Sequence, residues 1–169
     1  MIEMKYYKTY YNSPLGKLTL VSDGSSLVGL WIEGQKYFEG TIDREVVKKD
    51  NLSIFRKTKS WLERYFKGER PLISELSLSP RGSSFRQEVW NILCNIPYGK
   101  TVTYKEIAKR LGRDTMSAQA VGGAVGHNPI SIIIPCHRVI GSDGSMVGYA
   151  GGIERKVWLL KHEGISVSS

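Results

Sequence analysis

Hydrophobic and polar positions change period along the chain. Tyr6 to Tyr11 is aromatic-rich, Lys17 to Val21 alternates apolar with polar residues, and Leu27 to Ile32 is nearly all apolar. Ser13-Pro14-Leu15-Gly16 and Asp23-Gly24 separate these runs as turns, so the pattern predicts an antiparallel meander. Trp61, Leu62, Tyr65 and Phe66 then recur at helical spacing, predicting an amphipathic helix over 58–67 that Gly68 ends. Leu72 to Leu78 alternates again and predicts a strand. Ser79-Pro80-Arg81-Gly82 breaks the pattern, which divides the chain into a domain over 1–80 and another over 81–169.

The second part reads as mostly helical. Ser84 is the expected N-cap of a helix carrying Phe85, Val89, Trp90 and Leu93, stopped near Ile96 by Pro97-Tyr98-Gly99. Thr103, with Glu106 three residues on, forms a capping box for Tyr104 to Leu111, and Gly112 ends that helix. After a short turn, Ser117 is the expected cap of Ala118 to Val125. Helix, short turn and second helix have helix-turn-helix spacing. The fold class is therefore α+β: a small β-rich N-terminal domain and a mostly helical C-terminal domain containing a helix-turn-helix. Gly122-Gly123 inside the last helix costs about 1 kcal/mol per glycine relative to alanine. Close helix packing and close approach of a bare helix face to a nucleic-acid backbone both account for that cost.

Composition narrows the function classes. The 169 residues, 41% hydrophobic and 24% charged, suit a soluble chain with a real core and no membrane span. Residues 1–10 carry Glu3, Lys5 and Lys8 and lack a signal peptide's apolar run, so a cytoplasmic protein is expected. The net charge of +8 points to a polyanionic partner. Residues 81–169 hold 11 basic against 6 acidic side chains, while residues 1–80 hold 13 against 10, so the excess is greater in the second part. Only Cys94 and Cys136 occur, without the spacing of a disulfide framework. Cys94 lies in the apolar run Val89 to Cys94 and reads as a small buried hydrophobe. No pairing of the cysteines with His127, His137 or His162 has zinc-finger spacing, so no metal and no cofactor is expected.

The chemistry concentrates in Asn128 to Ile140. Ile132-Ile133-Ile134 predicts a buried strand-like run, Pro135 fixes the backbone and removes one N–H donor, and Cys136-His137-Arg138 follows. Basic groups beside a sulfur lower its pKa, and the thiolate is the nucleophile, so Cys136 reads as reactive.

Ile134-Pro135-Cys136-His137-Arg138-Val139 is similar to the active-site signature of the O6-alkylguanine-DNA alkyltransferases. The resemblance continues in family order through Ile96 to Tyr104, Ala120 to Ala124, Asn128-Pro129, Gly148 to Gly152, and Trp158-Leu159-Leu160 with His162-Glu163-Gly164. It is dense over 84–164 and loose over the first 80 residues. It implies direct reversal of DNA damage: an O6-alkylguanine, with O4-alkylthymine as an alternative, is flipped from double-stranded DNA and its alkyl group passes irreversibly to the protein's own cysteine. It also implies a single-turnover protein acting as a monomer, with no membrane and no obligate protein partner.

By the same resemblance Cys136 is the alkyl acceptor and His137 the base that takes the thiol proton through a water. Glu163 orients His137, and Asn128 braces the turn before the site. Tyr104 crowds the target phosphate and donates to the flipped base, while Val139, Tyr149 and Ala150 line its pocket. Lys105, Gln119, Ser142 and Arg138 fall at DNA-facing or neighbouring positions, Arg138 alternatively as an inter-domain brace. Two positions depart from the pattern. Gln119 stands where an arginine commonly fills the gap left by the flipped base, which predicts weaker binding or slower flipping. Ala150 stands where serine is common, which leaves the backbone N–H to hold guanine O6.

Three rivals belong to other classes. Alkyltransferase-like lesion sensors replace the cysteine, which is present here. Regulators that sense alkylation use additional domains, for which 169 residues leave no room. A generic Cys/His hydrolase needs an oxyanion-hole motif, and none accompanies Cys136.

Overall fold

The computed structural model describes residues 5–37, 40, 42, 45–112, 118–146 and 148–167. Its chain divides into two compact units, Met1–Arg81 with Pro129–Ser131, and Gly82–Asn128 with Ile132–Ser169.

The first unit is built on a four-stranded sheet of β1 (Tyr6–Ser13), β2 (Gly16–Ser22), β3 (Leu27–Ile32) and β4 (Val46–Lys48), ordered β3-β2-β1-β4. The predicted meander is β1 to β3, antiparallel in the registers Tyr10↔Thr19 and Leu20↔Leu30, while β4 adds a short parallel edge. Leu18, Leu20, Leu30 and Ile32 are fully buried, and α1 (Ser53–Phe66) packs on β1 and β2. This helix begins five residues before the expected Thr58, because Ile54, Phe55 and Thr58 share the buried face of Trp61, Leu62 and Tyr65. The strand expected over 72–78 is a 3₁₀ turn at Ile73–Glu75 with one bridge, Leu27↔Leu78. Glu75 explains the change: its carboxylate accepts from Leu72 N at 2.9 Å and pairs with Arg64 at 2.8 Å, which ties the segment locally. Residues 129–131 also belong to this unit, where Leu30 N donates to Pro129 O and Ser131 N to Leu30 O.

The second unit carries α2 (Ser84–Cys94), β5 (Val102–Thr103), α3 (Tyr104–Arg110), α4 (Ala118–Gly126), β6 (Val139–Ile140) and α5 (Ile153–His162). Ser83, not Ser84, caps α2, its hydroxyl accepting from Arg86 N at 3.3 Å. The capping box at Thr103 forms as expected, with Glu106 N on the Thr103 hydroxyl and Thr103 N on the Glu106 carboxylate. Ser117, the expected cap of α4, lies outside the described residues. Trp90 locks α2 to α4 by donating to the Ala124 carbonyl at 2.9 Å. A methyl group on Gly122 would meet the Tyr104 ring only at 3.8 Å, and one on Gly123 would meet nothing within 4 Å. Close packing therefore does not require glycine at 123.

Candidate active site

Cys136 owes its position to a succession of tight local turns. The three isoleucines before it are buried, but they form turns and not the expected strand, and Ile132 has a φ of 72°. A β-branched residue rarely adopts that conformation. Pro135, at φ −82° and ψ 64°, is the centre of an inverse γ-turn in which Cys136 N donates to Ile134 O at 2.8 Å. Proline suits this place because its ring fixes φ and the turn needs no N–H from it. A 3₁₀ turn, Cys136–Arg138, then leads into β6, which pairs in parallel with β5 in the register Val102↔Val139. That pairing sets the start of α3, and hence Tyr104, beside the reactive turn.

The polar groups around the turn form one network. Asn128 donates to the Ile134 carbonyl at 2.8 Å and also hydrogen-bonds the Cys136 thiol. His137 is fully buried, with Nε2 2.7 Å from Glu163 Oε2. Arg138 grips the same carboxylate twice, Nε to Oε1 at 2.7 Å and Nη2 to Oε2 at 3.1 Å, and gives Nη1 to the Ile96 carbonyl at 2.7 Å. Gly99 N adds a fourth donor to Glu163.

Protonation states follow from this wiring. Burial opposes ionisation of Glu163, but His137 and Arg138 outweigh it and hold the carboxyl well below the usual range. Burial pushes the His137 imidazolium down despite Glu163, so the ring is neutral. A carboxylate can only accept, so Nε2 carries the ring hydrogen and Nδ1 keeps a lone pair. Nδ1 is buried with no hydrogen-bond partner among the described residues. Its free lone pair makes His137 a base adjacent in sequence to the thiol.

The expected lowering of the thiol pKa does not occur. Burial dominates and pushes Cys136 up, against the opposing pull of Asn128 and of a cation that the sequence reading missed, Lys156. Lys156 is 1% exposed on α5, donates to the Val139 carbonyl, and has an ammonium that burial pushes down to about 8 while Cys136 draws it back up. It stands 20 positions from the cysteine, and no spacing rule singles it out among the lysines of a basic chain. Burial also raises the Tyr104 phenol, and the neighbouring Cys136 charge raises it further. The Tyr104 hydroxyl closes on Gly148 (φ 74°), where a Cβ would come within 2.9 Å of it.

The structure thus brings together Cys136, His137, Glu163, Asn128 and Tyr104, with buried Val139 leaving the reactive turn. Tyr149 is buried and Ala150 half-buried on the loop that follows Gly148. Lys105, Gln119 and Ser142 are exposed and carry no side-chain bond among the described residues. Arg138 requires a correction. It is 6% exposed, and among the described residues its guanidinium is committed to Glu163 and the Ile96 carbonyl, so it is a buried strut of the second unit and not an exposed cation.

Comparison with known proteins is consistent along the chain. Residues 84–165 match the family model described as 6-O-methylguanine DNA methyltransferase, DNA binding domain, and residues 6–80 match its ribonuclease-like domain. A methylated-DNA–protein-cysteine methyltransferase of Haemophilus influenzae is 44% identical over 159 residues, 94% of this chain and 87% of that protein. A Mycobacterium tuberculosis protein crystallised in complex with DNA superposes with a TM-score of 0.82 at 42% identity, covering 94% of this chain and 92% of that one. An O6-methylguanine DNA methyltransferase of Methanococcus jannaschii superposes at 0.66 with 30% identity, over 95% and 96% of the two chains.

Proposed function

The chain belongs to the methylated-DNA–protein-cysteine methyltransferase family, and from that membership we propose a residue-by-residue mechanism for alkyl transfer to Cys136. The protein repairs DNA by direct reversal, taking the alkyl group of O6-alkylguanine onto its own cysteine once. One observation carries the assignment of roles: His137 is clamped through Nε2 by Glu163 and holds a buried Nδ1, without a partner among the described residues, one residue from Cys136.

The reaction balances without a cofactor. His137 takes the thiol proton through a water, and the sulfur attacks the alkyl carbon in line. The C–S bond forms as the C–O6 bond breaks, and the electron pair leaves with guanine, which gains a proton. The Tyr104 hydroxyl donates to the flipped base as charge develops there, and the loop through Tyr149 and Ala150 lines the pocket with Val139. Asn128 steadies the turn by its bond to the Ile134 carbonyl. The thioether product is inert, so the protein is spent.

DNA is bound through α3 and α4, which we read as the helix-turn-helix, with Lys105 and Ser142 at the phosphates and Gln119 entering the duplex. Exposed Gln119, Ala120 and Gly123 leave a nearly bare helix face that suits close approach. Residues 81–169 form the DNA-binding and alkyl-transfer domain, and 1–80 the β-rich domain. Both cysteines are free, which suits a monomer in a reducing cytoplasm, and no described helix is long and apolar enough to cross a membrane.

The test is incubation with an O6-methylguanine duplex followed by peptide mass mapping. A methyl group on the Cys136 peptide, absent in Cys136→Ala, supports the assignment; methyl on another residue, or none, overturns it.

A further inference from the structure

We propose that the first unit carries a phosphate-binding site, separate from the transfer chemistry, in a cavity of about 550 Å³ lined by Lys8, Tyr10, Lys17, Thr19, Glu33 and Gln35. Strand alternation puts Lys8 and Tyr10 on one face of β1, and the register Tyr10↔Thr19 and Asn12↔Lys17 sets Lys17 and Thr19 of β2 beside them. The Lys8 and Lys17 ammonium groups lie 5.9 and 4.6 Å from the centroid of the Tyr10 ring. Two cations thus share one aromatic ring, and neither has a carboxylate partner among the described residues.

The neighbouring hydroxyls are also uncommitted. Neither Tyr10 nor Thr19 makes a side-chain hydrogen bond among the described residues, although Thr19 is only 3% exposed. Gln35 is fixed, its Oε1 accepting from Ile32 N at 2.7 Å and from the Ser131 hydroxyl at 3.1 Å. Two ammonium groups and two hydroxyls on one concave wall are donors without acceptors. A tetrahedral oxyanion supplies those acceptors and offsets the repulsion between the lysines. Exposed Glu33 on the rim opposes an anion and limits the affinity. The shared chemistry is a phosphate group, whether in a nucleic-acid backbone or free in solution.

Titration of the ¹⁵N-labelled full chain tests the site, with inorganic phosphate, an undamaged oligonucleotide, and sodium chloride at matched ionic strength. Saturable amide shifts at Lys8, Tyr10, Lys17 and Thr19 with phosphate or oligonucleotide, but not chloride, are expected. A response to the oligonucleotide identifies a backbone contact. The Lys8→Gln/Lys17→Gln variant then lowers the salt slope of its binding by about one unit for each phosphate lost. A response to free phosphate alone identifies a small-anion site. Glu33→Gln tightens either ligand about twofold, the size expected of one exposed charge. The same shifts with chloride, or none at these residues, overturn the proposal. Transfer to Cys136 is measured alongside with free O6-benzylguanine, which needs no backbone contact, and stays unchanged in all three substitutions, so loss of this site and loss of the transfer assignment are separate results.

Discussion

His137 donates Nε2–H to Glu163 Oε2 across 2.7 Å, with both side chains fully buried. This bond selects the tautomer that leaves Nδ1 basic. Glu163→Gln removes the charge and permits the amide to donate to Nε2, which moves the ring hydrogen to Nδ1 and takes away the basic lone pair. Single-turnover transfer is expected to slow by about 10²-fold or more. Stopped reactions on a methylated duplex measure it, and a rate unchanged from wild type removes His137 from the mechanism.

The same network sets the acid limit of stability. His137 has its folded pKa depressed, so the unfolded chain binds the extra proton as pH falls below its ordinary value of about 6.5. Glu163 is also depressed, so its contribution is present above about 4.3 and is lost as pH falls further. Stability therefore declines with acid in two stages. Urea midpoints from pH 7.5 down to 4 should show the first stage in wild type and not in His137→Gln.

Arg138 tests brace against DNA contact. Truncation to alanine strands the Glu163 carboxylate and the Ile96 carbonyl in the interior, at a cost of about 3–5 kcal/mol. Arg138→Lys keeps the charge but cannot span both acceptors, and falls between. Denaturant unfolding reads the stability. The salt slope of duplex binding by an Arg138→Met protein that still folds should match wild type, and a slope lower by about one unit makes Arg138 a phosphate contact.

Lys156, and not the expected Arg138, supplies a positive charge that acts on the Cys136 thiol. Its ammonium favours the thiolate, and Lys156→Met should shift the pH–rate profile of Cys136 alkylation to higher pH. Stability runs the other way in alkali. Because its folded pKa is pushed down to about 8, Lys156 contributes stability that grows as pH rises from about 8 towards the ordinary lysine value of about 10.4. The raised Cys136 thiol works against it, so the difference between wild type and Lys156→Met carries the reading. Iodoacetamide kinetics and alkaline denaturation check the two halves, and an unmoved profile rules Lys156 out as the thiolate's support.

Gln119 is exposed on α4 and has no charge to place beside the orphaned cytosine. Gln119→Arg should tighten duplex binding and speed transfer from a paired lesion. It should leave the reaction with free O6-benzylguanine unchanged, since no flipping is needed there. Equal binding and transfer in both proteins would remove Gln119 from the flipping step.

The strands β1 to β3, the capping box at Thr103 and the reactive hexapeptide were legible in the sequence. Each depends on neighbours in the chain: alternation, a Thr–Glu pair three residues apart, a proline before a cysteine. The errors lay where distant groups intervene. Leu72 to Leu78 alternates like a strand, but Glu75 ties it to Arg64 and Leu72. The three isoleucines look extended, yet residues 129–131 pair with β3 and the chain must turn sharply at Ile132.

What the sequence by itself determined is the family and, through its motifs, the proposed nucleophile Cys136 with its proposed partners, because residue types and order survive without coordinates. Only the tertiary structure decided their protonation. Burial raises the Cys136 thiol and keeps His137 neutral, and it turns Arg138 inward. It also brings Lys156 from α5 to the carbonyl that follows the reactive turn. Desolvation and through-space charge set these states, and neither is a property of positions along a chain.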